Sequence, residues 1–169
     1  MSQVVFQTAR LFARCIRATD TGALHAVYGD ADAMRWVGDG QPITRTECDR
    51  WIEVTLNNYR TRGYGMFVLL DRGSGDVVGF CGLVHPDGQA EAEIKYALHR
   101  SFWGQGLATE AAAALIAYAA DTLGIDYVIA TVAPENRASR RVLMKAGMHP
   151  GAIRNNDDGT VTEVFEWRK

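Results

Sequence analysis

Apolar positions change their period several times along the chain, and each change marks an expected element. Arg10-Leu11-Phe12-Ala13-Arg14-Cys15-Ile16-Arg17 alternates loosely and predicts a first strand. Thr19 or Asp20 can cap a short helix running towards Val27-Tyr28. Residues 30–42 mix Asp, Gly, Trp36 and Pro42, the mark of an irregular connection or a helix end. A second helix is expected from Thr46, with Asp49 three positions on, through Trp51, Val54, Leu56 and Tyr59 to Gly63. Residues 65–70, 77–84 and 90–98 predict three strands. Turn residues at each junction (71–75, 86–88 and Ser101) argue for an antiparallel meander. Ala108, Ala111, Ala112, Leu115, Ala119 and Leu123 then recur at helical spacing up to Gly124. Residues 127–132 read as a buried strand, 134–146 as a helix ended by Gly147, and 148–154 and 161–167 as strands around the turn 155–159. This order predicts a three-layer α/β domain with a mixed sheet.

Composition narrows the class. The 169 residues are 47% hydrophobic, enough for a core in one domain of ordinary size, here 1–169. A formal net charge of −2 gives no sign of a nucleic-acid partner. Cys15, Cys48 and Cys81 have neither zinc-ligand spacing nor disulfide density, and the expectation is reduced, mostly buried thiols and no metal. The N-terminus lacks a signal-peptide pattern, and the apolar stretch 111–120 is too short to span a bilayer. A cytoplasmic protein without a membrane partner is expected.

The junction 98–109 carries the chemistry. A strand enters a turn with Gly104 and Gly106, and a helix leaves it. Glycine lets backbone N–H groups approach an anion, and the helix start adds positive potential. A tight strand-to-helix turn would use the same residues. The lysine-dependent phosphate loop is excluded because no Gly-Lys-Ser/Thr occurs. A dinucleotide fingerprint would need a third glycine at Thr109, and its strand at the head of a βαβ unit.

The residues Glu93-Ile94-Lys95-Tyr96-Ala97-Leu98, then Trp103-Gly104-Gln105-Gly106-Leu107-Ala108-Thr109-Glu110-Ala111, resemble the GCN5-related N-acetyltransferase (GNAT) family. The branch most like them is that of the ribosomal-protein N-terminal (alanine) acetyltransferases. A second match, Asn136-Arg137-Ala138-Ser139-Arg140-Arg141-Val142-Leu143 with Ala146-Gly147-Met148, resembles that branch's Asn-x-x-Ser signature. Arg10-Leu11 with Asp20 is a looser one. The resemblance spans nearly the whole chain. It implies a GNAT-like acyl-CoA N-acyltransferase fold, a mixed, mostly antiparallel sheet with helices on both faces.

The resemblance also implies roles. Backbone N–H groups of Phe102, Trp103, Gly104, Gln105, Gly106, Leu107 and Ala108 would hold the pyrophosphate of acetyl-CoA. Ser101 stands where the family motif usually has Gln or Arg, and Arg100 is a substitute for that contact. The strand 94–98 would splay from 127–132, so that the pantetheine arm pairs with exposed backbone. N–H groups around Tyr96, Ala97 and Leu98 would receive the thioester oxygen. Asn136 would bond the pantetheine or the strand end, or cap its helix. Glu93 is the family-aligned base or amine binder, on an acidic face with Glu91 and Lys95 that would look into the cleft. A solvated Glu93–Lys95 pair is the alternative. Lys95 is a departure, since the branch often has glycine there. The tyrosine acid of many members is replaced by Leu143, which leaves Ser139 as donor or sulfur ligand. Tyr96 is the weaker alternative because alternation puts it opposite Glu93.

Acceptor contacts are expected from Tyr28, Met34, Arg35 and Trp36, and from the last hairpin turn with Asn155, Asn156, Asp157 and Asp158. Trp36 is the candidate wall of the acceptor pocket, whereas Trp51, Trp103 and Trp167 read as packing residues. The expected activity is acetyl transfer from acetyl-CoA to a primary amine, a protein N-terminal α-amine or a small molecule, by direct attack in a ternary complex. A non-catalytic acyl-CoA-binding or sensory domain, or a different acyl donor, is the alternative. Family habit leaves monomer or homodimer open.

Overall fold

The computed structural model describes residues 3–169. Among these residues eight strands form one sheet: β1 (Val4–Gln7), β2 (Leu11–Cys15), β3 (Met66–Asp71), β4 (Val77–Val84), β5 (Ala92–Leu98), β6 (Tyr127–Val132), β7 (His149–Asn155) and β8 (Val161–Arg168), in the order β1-β2-β3-β4-β5-β6-β8-β7. Every neighbouring pair is antiparallel except β5–β6. Helices α1 (Thr21–Tyr28), α2 (Ala31–Met34) and α3 (Arg45–Arg62) join β2 to β3. Helix α4 (Leu107–Asp121) joins β5 to β6, and α5 (Arg137–Lys145) joins β6 to β7.

Alternation along the central strands feeds two cores. Phe67 and Leu69 of β3 join Ile94 and Leu98 of β5 and the α4 residues Ala111, Ala112 and Leu115 on one face. Val68, Leu70, Phe80 and Ala97 point the other way, onto Leu24, Val27, Cys48 and Ile52 of α1 and α3. A strand covered on both faces must be apolar at every position, which is why 66–70 reads as an unbroken run.

Three boundaries depart from the sequence reading. β1 was not expected: four residues on the sheet edge, ending in Gln7, are too short to show a period. Helix α3 starts at Arg45 and is capped by Thr44, two residues before Thr46. Thr44 Oγ1 accepts from Glu47 N–H at 3.2 Å and the Glu47 carboxylate accepts from Thr44 N–H at 2.6 Å, a reciprocal cap that the Thr46/Asp49 pair does not make. Helix α5 starts at Arg137, because residues 134–136 form a turn and Asn136 is the cap. Cys48 and Cys81 are buried but Cys15 is exposed. Among the described residues no helix is long and apolar enough to cross a membrane.

Candidate active site

The parallel pair β5–β6 is short. Only Ala92↔Val128 and Glu93↔Ile129 are in register, after which the two strands diverge. On its other side β5 stays paired with β4 as far as Gly79↔Leu98, and His99 N–H bonds Val78 O. Antiparallel ladders alternate, so His99, Ala97 and Lys95 spend their backbone groups on β4. The N–H of Ile94 closes the last bond of the β5–β6 ladder, and those of Tyr96 and Leu98 face the opening beyond it. Ala97 N–H does not, which corrects the expectation for that residue; Ala97 contributes its small side chain to the wall. The indole of Trp103 donates to Leu98 O at 2.9 Å and ties the wedge to the glycine turn.

That turn runs from a 3-10 segment, Arg100–Phe102, into α4. Gly104 and Gly106 have φ of 74° and 78°, a region costly for residues with a β-carbon. A β-carbon on Gly104 would meet no protein atom within 4 Å, so the space before the turn is open. Gly106 is the residue before α4 and has no side-chain cap, which leaves the first helical N–H groups to the cleft. A clamp missed in the sequence fixes this turn. Arg10 Nη1 donates to Gln105 O at 2.8 Å, and Arg10 Nε and Thr8 Oγ1 donate to Glu110 at 2.7 and 2.6 Å. These partners lie about a hundred positions apart, and no local signal joins them. Arg100 does not serve the turn. Its guanidinium donates to Asp30 at 2.9 Å and Asp32 at 2.8 Å.

Wedge and turn open into one cleft of about 1700 Å³. On the α5 side, Tyr96 Oη lies 2.6 Å from Ser139 Oγ, so the two candidate donors form one hydroxyl pair. Burial pushes the Tyr96 phenol up to about 12, against a smaller lowering by the Ser139 hydrogen bond. Asn136 caps α5, accepting from Ser139 N–H at 3.2 Å, and also lines the cleft. Leu143 is buried. Arg141 and Lys145, one turn apart on α5, add two cations to this wall.

Glu93 differs from expectation. It is 2% exposed and does not line the cleft. Its carboxylate accepts from Thr131 Oγ1 and from Gln89 Nε2 at 3.3 Å, and Lys95 Nζ lies 3.2 Å away. Thr131 and Lys95 are the groups that reach the cleft. On the α1–α3 side, Tyr28, Met34, Arg35 and Trp36 line the cleft, and Asn156 and Asp158 of the last hairpin close its rim. Trp36 is 44% exposed with the Arg35 guanidinium 5.2 Å from its ring centre. Trp51 and Trp103, expected to pack, are half-exposed on the cleft wall. Trp51 and Tyr28 pack edge to face with their ring centres 4.9 Å apart. Trp167 packs against the core. Among the described residues no cluster of three or more His, Cys, Asp or Glu side chains could hold a metal.

A mixed sheet split at one parallel seam, with a glycine turn and a helix start at the mouth of the split, defines the acyl-CoA N-acyltransferase fold. Residues 10–149 match the acetyltransferase (GNAT) domain family, and the chain belongs to that family of acetyltransferases. It is 30% identical to the uncharacterized protein YkkB of Bacillus subtilis, over 84% of this chain and 83% of that one. It is also 30% identical to the uncharacterized N-acetyltransferase p20 of Bacillus licheniformis, over 80% of this chain and 77% of that one. The ribosomal L7/L12 α-N-protein acetyltransferase RimL, solved in complex with coenzyme A, superposes with a TM-score of 0.83 at 18% identity, covering 98% of each chain. That likeness is one of fold.

Proposed function

We propose that residues 1–169 act as one N-acetyltransferase domain that transfers an acetyl group from acetyl-CoA to a primary amine, a protein N-terminal α-amine or a small-molecule amine, by direct attack within a ternary complex. One observation carries the reading: the seam opens after Glu93 and Ile129, and its unpaired N–H groups lead straight to the glycine turn at the start of α4. The coenzyme fits these residues, since the turn offers N–H groups and an open approach that a β-carbon on Gly104 would occupy. Residues 102–108 hold the diphosphate, and Asn136 bonds the arm.

The bound thioester supplies an activated acetyl carbon. One outward N–H of the strand, that of Tyr96 or of Leu98, donates to the carbonyl oxygen as negative charge builds there; the two lie too far apart to share it. In the Tyr96–Ser139 pair one hydroxyl donates to the other, and the remaining O–H is free to donate to the sulfur. A phenol at about 12 cannot give up its proton cheaply. A thiolate is ordinarily the weaker base, so moving the proton to it is uphill. The pair therefore stabilises the departing sulfur as a hydrogen-bond donor.

The attacking amine must be neutral, and an α-amine is roughly 14% neutral at pH 7. Burial keeps Glu93 from touching it. Thr131 lines the cleft and donates to Glu93, so the proton passes from the amine to Thr131 Oγ1 as the Thr131 proton passes to the carboxylate. Trp36 walls the acceptor side. The test is thiol release with acetyl-CoA over a panel of amines and peptides. Tight acetyl-CoA binding without release for any acceptor would overturn the reading and favour a binding domain.

A further inference from the structure

Two features of the acceptor side go beyond what acetyl transfer alone requires. The first is aromatic surface left in water. Trp36 and Trp51 are 44% and 40% exposed where they line the cleft, and exposed Val54 continues the same wall. Rings held half-bare at a cleft mouth are apolar anchors for a ligand.

The second is the sign of the charge. Lys95 shares the face of Glu93 and lines the cleft, with its side chain 42% exposed. An ammonium has three donors. One meets Glu93 Oε1 at 3.2 Å, which leaves two. Arg35 lies on Trp36 and has no carboxylate within 4 Å among the described residues. Of the acids on this side, Glu93 and Asp32 are paired with Lys95 and Arg100, while Asp39 and Asp158 keep their charge, accepting from Gln41 N–H and from Thr160. Glu135, just before α5, stands on the other wall.

Resting on the acetyl transfer proposed above, we infer that Lys95 selects an acceptor with a carboxylate beside its amine and an aromatic body, an α-amino acid rather than a peptide N-terminus or a polyamine. The carboxylate takes the two remaining Lys95 donors, with Arg35 adding positive potential, and the aromatic body lies against Trp36 and Trp51. A peptide presents a neutral amide in place of that carboxylate, and a polyamine brings a second cation towards two fixed ones. In the reaction the amine nitrogen bonds the acetyl carbon, the carbon–sulfur bond breaks, the electron pair leaves on sulfur, and the amine proton follows the Thr131 route.

The experiment measures kcat/KM by thiol release for phenylalanine and tryptophan, for their primary amides, and for short peptides with the same first residue. The acids should exceed the amides by about tenfold or more, the scale of one charge-assisted hydrogen bond. The comparison is a severe one, because a neighbouring carboxylate keeps the amine protonated and works against the acid. Lys95→Met should collapse the acid-to-amide ratio towards one, mainly through KM, and Lys95→Arg should keep most of it. A ratio near one in the native protein, a ratio unchanged in Lys95→Met, or peptides outrunning amino acids would each overturn the inference while leaving N-acetyl transfer intact. Failure to acetylate any amine would remove the underlying reading, and this one with it.

Discussion

Replacing Gly104 with valine separates two effects that the glycine turn combines. Gly104 sits at φ of 74°, and a β-branched residue held there is strained by about 1–3 kcal/mol. Strain of that kind is present with or without ligand as long as the turn keeps its shape. It therefore lowers stability, and in a chain of this size each kcal/mol moves the melting temperature by roughly 2–4 °C. Affinity is a separate matter. A β-carbon on Gly104 meets no protein atom within 4 Å, so the valine side chain would stand in the open space before the turn, where the diphosphate is proposed to lie. Loss of one charge-assisted N–H contact there weakens coenzyme A binding roughly 10- to 100-fold.

A control is built into the fold. Gly124, in the connection beyond α4, has φ of 67° and equally open surroundings. Gly124→Val should lose a similar few degrees and keep its affinity. Calorimetric titration of coenzyme A, with melting curves of both variants, makes the comparison. If the two lower affinity equally, or if Gly104→Val binds coenzyme A as the native protein does, the diphosphate does not lie on this turn.

Three further outcomes are expected. Glu93→Gln should lower kcat/KM by tenfold or more, most at the acid end of the pH profile where the amine is most protonated; equal loss at every pH would assign Glu93 to positioning. Tyr96→Phe and Ser139→Ala should each slow turnover about tenfold, and the double variant should be little worse than the poorer single one, because the pair acts as a unit. Additive losses in stopped-flow turnover would show two independent roles. Asp20 is buried, which alone would raise its pKa, but the Arg14 guanidinium and Arg17 N–H outweigh burial and hold it below the usual carboxylate range. A depressed carboxylate stabilises fully above its unfolded pKa near 3.9 and loses that contribution as pH falls through the lower folded value. Asp20→Asn should therefore cost about 1–3 kcal/mol at pH 7 and progressively less below about pH 4, read as denaturant midpoints. A deficit independent of pH would refute the ion pair as its source.

What the sequence made legible was local. Gly104 and Gly106 lie two residues apart, Asn136 caps Ser139 three residues on, and Gly63 and Gly147 end their helices at positive φ. What it hid were pairs made by the sheet. Arg10 meets Glu110, Arg100 turns away to Asp30 and Asp32, and Thr131 covers Glu93. Tyr96 is the instructive case. Strand alternation does put it on the face opposite Glu93, and in a closed sheet that would remove it from the site. Here β5 and β6 separate just after Glu93, so the sheet is no longer a barrier between its two sides. The α5 face brings Tyr96 with Ser139 to the opening, and the α1–α3 face brings Lys95 with its buried partner Glu93. Alternation therefore sorts the groups around the seam onto two sides, the proposed sulfur side and the proposed amine side, between which the acetyl group would cross.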